Sequence, residues 1–312
     1  MKTVSIIIPC YNSEKHISNA IESAIGQNYD NKEVIVVDDG SSDKSLLIIK
    51  KFAKYIQYTS IKNSGACFAR NLGAQISKGE YLQFLDADDM LTFDCVAEKI
   101  EVSQNKNRLV CSRVEPMFGA NRDRMSCSWF EKSYSLPMLI LQGGPPTSAP
   151  LHHRDLFIRV GGFKTGLPCA QEYDLHLRLA MWSGCTFHVI DHVGVLIRTP
   201  ETSLSRSGKA KWADAFKRSL LDLLDGPCAN LLNEPGVKDA LAQKLAMTGR
   251  ALLREGRVAE ANDVFSHARQ LSRNWHSGVY RYPALGAMAT YFGPYFVETA
   301  HAAVKKLLKN LP

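Results

Sequence analysis

No Cys-x-x-Cys pair occurs among the eight cysteines of this 312-residue chain, which are scattered from Cys10 to Cys228 (Cys10, Cys67, Cys95, Cys111, Cys127, Cys169, Cys185 and Cys228). Such spacing argues against a zinc centre or a disulfide framework and points to a reducing, cytoplasmic setting. Long apolar runs are missing as well. No stretch of ~18 apolar residues occurs, so no membrane-spanning helix is expected. The strand-like residues Val4 to Ile8 follow Met1 too closely to form a secretory signal. Charge is nearly balanced over residues 1–207, with 23 Lys and Arg against 22 Asp and Glu, and no nucleic-acid partner is expected. Residues 208–312 carry 15 against 9. That basic excess suits an anionic membrane surface, an acidic partner or a solvated helical face.

What the chain does have is Phe84-Leu85-Asp86-Ala87-Asp88-Asp89, an apolar run ending in three carboxylates within four residues. Carboxylates this close repel one another unless a cation shares them. The plain alternative is a solvated turn after a strand, since Asp favours turns.

The segments before it alternate strand and helix. Val4 to Pro9 reads as a buried parallel strand, and Ser13 and Glu14 open a helix running through Ile25 with apolar positions at i, i+3 and i+4. Val34 to Val37 reads as a second strand, Lys44 to Tyr55 as a helix, Ile56 to Thr59 as a short strand, and Ala66 to Ile76 as a helix. A strand ending at Asp86 follows. The expected fold class is therefore α/β, a mostly parallel central sheet flanked by helices. Ligands in such sheets bind beyond the carboxyl ends of the strands, where Pro9-Cys10-Tyr11-Asn12, Asp38-Asp39 and Asp86-Ala87-Asp88-Asp89 all fall. A rim this rich in carboxylates suits a nucleoside diphosphate held through a divalent cation, with Arg70 supplying positive charge to the diphosphate.

Four ordered stretches, Val4 to Asn12, Val36 to Asp43, Gly65 to Asn71 and Gly79 to Asp89, resemble the successive motifs of the family 2 glycosyltransferases. The resemblance implies the GT-A fold, a nucleotide-sugar donor (most often a UDP-sugar), magnesium or manganese, and transfer with inversion at the anomeric carbon. By the same resemblance Pro9, Tyr11 and Glu14 line the nucleotide pocket. Asp39, with Asp38 beside it, holds the base, Arg70 stands near the diphosphate, and Asp86 and Asp88 hold ribose and metal. Asp89 is an adjacent contributor, and Gly65 and Arg206 are further candidates on neighbouring loops.

Inversion needs a base on the acceptor hydroxyl, hence a second carboxylate centre. Gly161-Gly162-Phe163 followed by Gln171-Glu172-Tyr173-Asp174-Leu175 supplies it. The family pattern here is Glu-Asp; this chain has Gln171 where Glu is usual and Glu172 where the catalytic Asp is usual. Glu172 is the base candidate and Asp174 the fallback, although the extra methylene of Glu matters where an ångström can be worth ~10²-fold in rate. Arg178 is expected to anchor this helix. His152 and His153, adjacent in sequence, suit structure or acceptor contact better than a shared metal ion. Pro200 stands where relatives carry a His that can join the metal shell, so water or donor oxygens would complete the coordination.

Residues 1–207 thus form the expected catalytic domain and 208–312 an all-α C-terminal domain. Leu245 to Ala268 resembles one tetratricopeptide helix pair, with Gly249, Gly256, Ala261 and Ala268 letting the two helices cross closely. The aromatic and then basic end, Tyr291 to Lys309, suits peripheral contact with a membrane or a docked helix. The reading that results is a metal-dependent transferase acting on a glycan or lipid-linked acceptor in cell-surface polysaccharide synthesis, at the inner face of the membrane. Two others stand beside it: a non-catalytic scaffold built on a decayed transferase domain, and a sugar nucleotidyltransferase, which would want a Gly-rich phosphate loop near the N-terminus.

Overall fold

The computed structural model describes residues 2–117, 134–198, 209–227 and 231–277, with isolated stretches between 279 and 300. Two compact units result. The first gathers residues 1–134, 144–167 and 171–203; the second gathers 135–143, 168–170 and 204–312.

The first unit is built on an eight-stranded sheet. Its strands are β1 (Val4–Cys10), β2 (Lys32–Asp38), β3 (Gln57–Ser60), β4 (Tyr81–Phe84), β5 (Met90–Leu91), β6 (Arg108–Pro116), β7 (Pro150–His153) and β8 (Thr186–Ile197), in spatial order β3-β2-β1-β4-β7-β6-β8-β5. The half from β3 to β4 is parallel throughout, as the alternating sequence predicts. Beyond it the sheet is mixed: β7 runs antiparallel to both β4 and β6, and β5 antiparallel to β8, while β6 and β8 are parallel. Helices α1 (Ile17–Ile25), α2 (Ser45–Lys51), α3 (Ala66–Ile76), α4 (Cys95–Val102), α6 (Arg154–Arg159) and α7 (Gln171–Ser183) complete this unit.

Pro9 illustrates how sequence and topology fit. The carbonyl of Ile7 accepts from Leu85 on the β4 side and that of Cys10 from Asp39 on the β2 side. Alternation along the strand therefore turns residue 9 toward β4, where pairing has already ended at Ile7 and Phe84. A proline there removes no ladder hydrogen bond. On the helical layer, Gly73 lets α3 approach the sheet: a Cβ at that position would lie 2.4 Å from Ile7 Cγ2.

The α1 helix begins at Ile17, three to four residues later than its sequence suggests. Ser13 and Glu14 lie in the preceding turn, where the Ser13 carbonyl accepts from both His16 and Ile17, while the Ser13 N–H and the Glu14 N–H and carboxylate bond to a neighbouring loop.

The second unit contains α5 (Leu136–Gln142), α8 (Lys209–Leu224), α9 (Val237–Arg254) and α10 (Val258–Leu271). Helices α9 and α10 pack closely because Gly249 faces the Phe265 ring, where a Cβ would sit 3.0 Å away. Ala261, Phe265 and Ala268 are fully buried, with Trp275 edge-on to Phe265. Gly256 has another role: nothing would touch a Cβ there, but its φ of +76° makes the left-handed turn between the helices. No helix among the described residues is long and apolar enough to cross a membrane. Tyr291, Phe292, Lys305, Lys306 and Lys309 of the aromatic and basic end fall outside the described residues.

Candidate active site

The loops at the carboxyl ends of β1 and β2 hold one another. Asn12, at a φ of +47°, accepts through Oδ1 from the Ser42 N–H at 2.8 Å, and its own N–H donates to Ser41 Oγ at 3.0 Å. The Ser13 N–H donates to Ser45 Oγ at 2.8 Å. Glu14 and the second loop exchange bonds: its N–H donates to Asp43 Oδ2 at 2.9 Å, and its Oε2 accepts from the Lys44 N–H at 3.0 Å. Glu14 therefore braces the rim, while Tyr11 stands half exposed above it.

Asp38 and Asp39 end β2 and are both buried. Asp38 accepts from Ser60 Oγ at 2.7 Å and from the Ser41 N–H at 3.3 Å. Asp39 accepts from the N–H groups of Ser64 and Gly65 at 2.7 and 2.8 Å, pinning the loop that opens α3. Gly65 supports this with a φ of +93°. The two carboxylates thus fix the backbone of the loops at this edge of the sheet.

Arg70 occupies the centre. Buried on α3, it donates through Nη2 to Asp86 Oδ1 at 2.6 Å and through Nη1 to Gln171 Oε1 at 2.9 Å. Its guanidinium lies 5.1 Å from the centre of the Phe163 ring. Asn71 places that ring: its Nδ2 donates to the Phe163 carbonyl at 2.7 Å and its Oδ1 accepts the Phe163 N–H at 2.8 Å. Gly162 is required twice over here, by a φ of +66° and by a Cβ that would lie 2.7 Å from Asn71 Oδ1. The Arg70 Nε is buried with no partner among the described residues, so the group retains a donor.

Glu172 stands in the first turn of α7 beside this network. Burial raises its carboxyl above the ordinary range; Arg70 pulls it back down, and Asp86 adds to the rise. A carboxylate so placed is a better proton acceptor than a free one. Asp174 is different. It is fully buried and its Oδ2 accepts from Arg178 Nε at 2.9 Å and from Nη2, while Arg178 Nη1 donates to the Val160 carbonyl. The fallback base is thus committed to an ion pair inside α7, and Arg178 is its anchor.

The acidic turn after β4 brings together residues far apart in sequence. Asp89 is buried; its Oδ1 accepts from the Arg198 N–H at 3.1 Å and its Oδ2 from Ser148 Oγ at 3.2 Å. Burial, then the charges of Asp86 and Asp88, push its carboxyl up to about 8. Asp88 is raised by burial and then by the charge of Asp86, with His16 and Arg198 opposing. Carboxylates whose charged forms are disfavoured by burial and mutual repulsion, as at Asp88 and Asp89, suit a divalent cation, and carboxylate oxygens are the donors magnesium and manganese prefer. Among the described residues no three His, Cys, Asp or Glu side chains converge on one ion, so a cation here would draw other oxygens. Pro200 and Arg206 fall outside the described residues. His16, Ser148 and Arg198, which sequence reading did not assign to the site, reach it through tertiary contacts that no local pattern announces.

His152 and His153 lie buried on β7. His152 stacks on His176 at 6.0 Å between ring centres, edge-on to Phe84 and Phe157, and burial drives both imidazoles toward the neutral form, His176 to about 3. They belong to the packing beneath the site.

Residues 5–159 match the family model described as glycosyl transferase family 2. An uncharacterized glycosyltransferase of Rickettsia typhi is 32% identical over 237 residues, 69% of this chain and 72% of that one. The minor teichoic acid biosynthesis protein GgaB of Bacillus subtilis is 40% identical over 115 residues, 34% of this chain but 13% of its own length. The chain spans less than half of other relatives, 42% of one and 15% of another. Among solved structures, Staphylococcus aureus TarS residues 1–349 in complex with UDP-GlcNAc superposes with a TM-score of 0.61 at 17% identity, over 90% of this chain and 93% of that one. The mannosyltransferase PcManGT from Pyrobaculum calidifontis, in complex with GDP-Man and Mn2+, gives 0.59 at 19% identity, over 99% and 88%. At those identities the structures speak for the fold, a GT-A-like sheet with flanking helices. With the family model laid over β1 to α6 and a relative matched along most of both chains, this protein belongs to glycosyltransferase family 2.

Proposed function

We propose that the chain is an inverting, divalent-cation-dependent transferase that moves a sugar from a UDP-linked donor to a hydroxyl of a glycan or lipid-linked acceptor in cell-surface polysaccharide synthesis, on the cytoplasmic side of the membrane. The observation that carries the reading is the placement of Glu172 beside the Arg70–Asp86 pair, with its carboxyl raised by burial. The reaction needs a base on the acceptor hydroxyl and positive charge near the departing diphosphate, and this reading gives those roles to Glu172 and Arg70.

In this reading Glu172 takes the acceptor hydroxyl proton as that oxygen bonds to the anomeric carbon. The bond from that carbon to the diphosphate breaks on the opposite face, and the nucleoside diphosphate leaves. Arg70, held by Asp86 and Gln171, faces the charge that develops there. Asp86 and Asp88 would hold magnesium or manganese, which when bound supplies Lewis-acid neutralisation of the diphosphate. The teichoic acid role of GgaB and the nucleotide sugars in the TarS and PcManGT complexes support the donor and acceptor classes.

Glu172→Gln tests the assignment. Turnover of the accepted donor should fall by ~10²-fold or more, within the range expected for loss of a general base, while UDP binding stays at the wild-type level. Near-full turnover by a correctly folded variant would remove Glu172 from the mechanism.

A further inference from the structure

The second unit contains a cavity of about 260 Å³ lined by none of the candidate-site residues. It opens between α8 and α9, with Trp212 and Phe216 on one helix and Lys244, Met247, Thr248 and Ala251 on the other. The two aromatic rings stand 5.4 Å apart at a tilt of 39°. Met247, half exposed, marks the side that meets solvent.

The lining decides what kind of molecule fits. A sugar would stack on Trp212, but its hydroxyls need hydrogen bonds, and the wall is almost wholly apolar. The one hydroxyl among the described lining residues, Thr248 Oγ1, already donates to the Lys244 carbonyl at 2.9 Å. Sugar hydroxyls left unpaired in such a space would be strongly unfavourable. A hydrocarbon chain meets no such obstacle. At the ~30 Å³ that a water molecule occupies in the liquid, the space holds roughly nine heavy atoms.

The head group is set by Lys244. Its side chain is buried, with Nζ 4.3 Å from the Phe216 ring centre and donating to the Leu141 carbonyl at 3.0 Å. Burial lowers its ammonium to about 8, and an anion alongside would restore the charge. The stretch of sequence that supplies both helices, residues 208–312, carries a basic excess of 15 against 9, which attracts the same sign of ligand. We propose that this cavity binds a lipid phosphate, with hydrocarbon filling the space between α8 and α9 and the phosphate resting on Lys244.

Isothermal titration calorimetry of the full chain with octyl phosphate below its micellar concentration tests this, beside ethyl phosphate, octyl glucoside and octyltrimethylammonium. Octyl phosphate should bind at one saturable site. Ethyl phosphate should bind at least about tenfold more weakly for want of buried methylenes, and the uncharged and cationic octyl compounds likewise for want of the anion. Ala251→Phe, which fills the cavity, should abolish binding, and Lys244→Met should weaken it at least about tenfold with circular dichroism unchanged. The ligand series on the unmodified chain stands even where Lys244→Met fails to fold. No saturable binding of octyl phosphate, equal binding of octyl glucoside, or undiminished binding by Ala251→Phe would each overturn the proposal. Donor hydrolysis, read in parallel, reports the catalytic site separately.

Discussion

Replacing Asn71 with Ala removes both hydrogen bonds that hold the Gly162–Phe163 turn against α3, at 2.7 and 2.8 Å. Each such bond contributes about 1 kcal/mol net, and a Phe163 N–H or carbonyl left dry adds about 1–3 kcal/mol. Partial relaxation toward water brings the expected loss to ~2–4 kcal/mol. For a unit of this size each kcal/mol is worth about 2–4 °C, so the first unfolding transition should fall by roughly 5–15 °C in differential scanning calorimetry. Asn71→Asp should do no better, because it keeps an acceptor for the Phe163 N–H while setting an oxygen against the Phe163 carbonyl. Activity should suffer too: Phe163 supports the Arg70 guanidinium from 5.1 Å, and a loosened Arg70 lowers kcat more than it raises the donor KM. A melting temperature within about 1 °C of wild type, with kcat intact, would refute the clamp and the role assigned to Phe163.

Asp174→Ala strands Arg178 in the interior and should cost about 3–5 kcal/mol, visible as a lowered denaturation midpoint; a neutral result would mean the pair is not buried as described. His176, held neutral at a pKa of about 3 against 6.5 in the unfolded chain, contributes stability that is present above pH 6.5 and lost as pH falls toward 3. The slope is up to about 1.4 kcal/mol per pH unit. His176→Phe should flatten that acid limb in urea titrations between pH 6.5 and 4, and an unchanged limb would contradict the assignment. UDP binding followed by calorimetry should strengthen on adding Mn2+ and lose that gain in Asp88→Asn; binding indifferent to the metal would count against the cation site.

The parallel half of the sheet and its carboxylate-bearing ends are legible in the sequence because each signal is local: an apolar run, a helix-period stripe, then Asp or Gly where the strand stops. The helix from Ala66 to Ile76 lies where its periodicity places it. The antiparallel insertion of β7 is not legible, since Pro150–His153 is four residues long and its partners lie about 40 and 70 positions away. The Arg70–Gln171 bond likewise joins residues 101 apart. Glu14 misleads for a related reason. Ser and Glu before an apolar stripe read as a helix start, yet the Ser13 N–H and the Glu14 N–H and carboxylate bond to the next loop, and the helix opens at Ile17. Arg178 and Asp174, spaced i and i+4, are readable as a pair in principle, though nothing local tells that they are buried.

The interlocking of residues 10–14 with 41–45 has a consequence for anyone who would rebuild this protein. Neither loop is an independent module: the backbone of each terminates in side chains of the other, through Asn12, Glu14, Ser41, Asp43 and Ser45. A chimaera that imports one loop from a relative inherits half of a lock. The two must be exchanged together, and insertions in one are tolerated only where the other is altered to match.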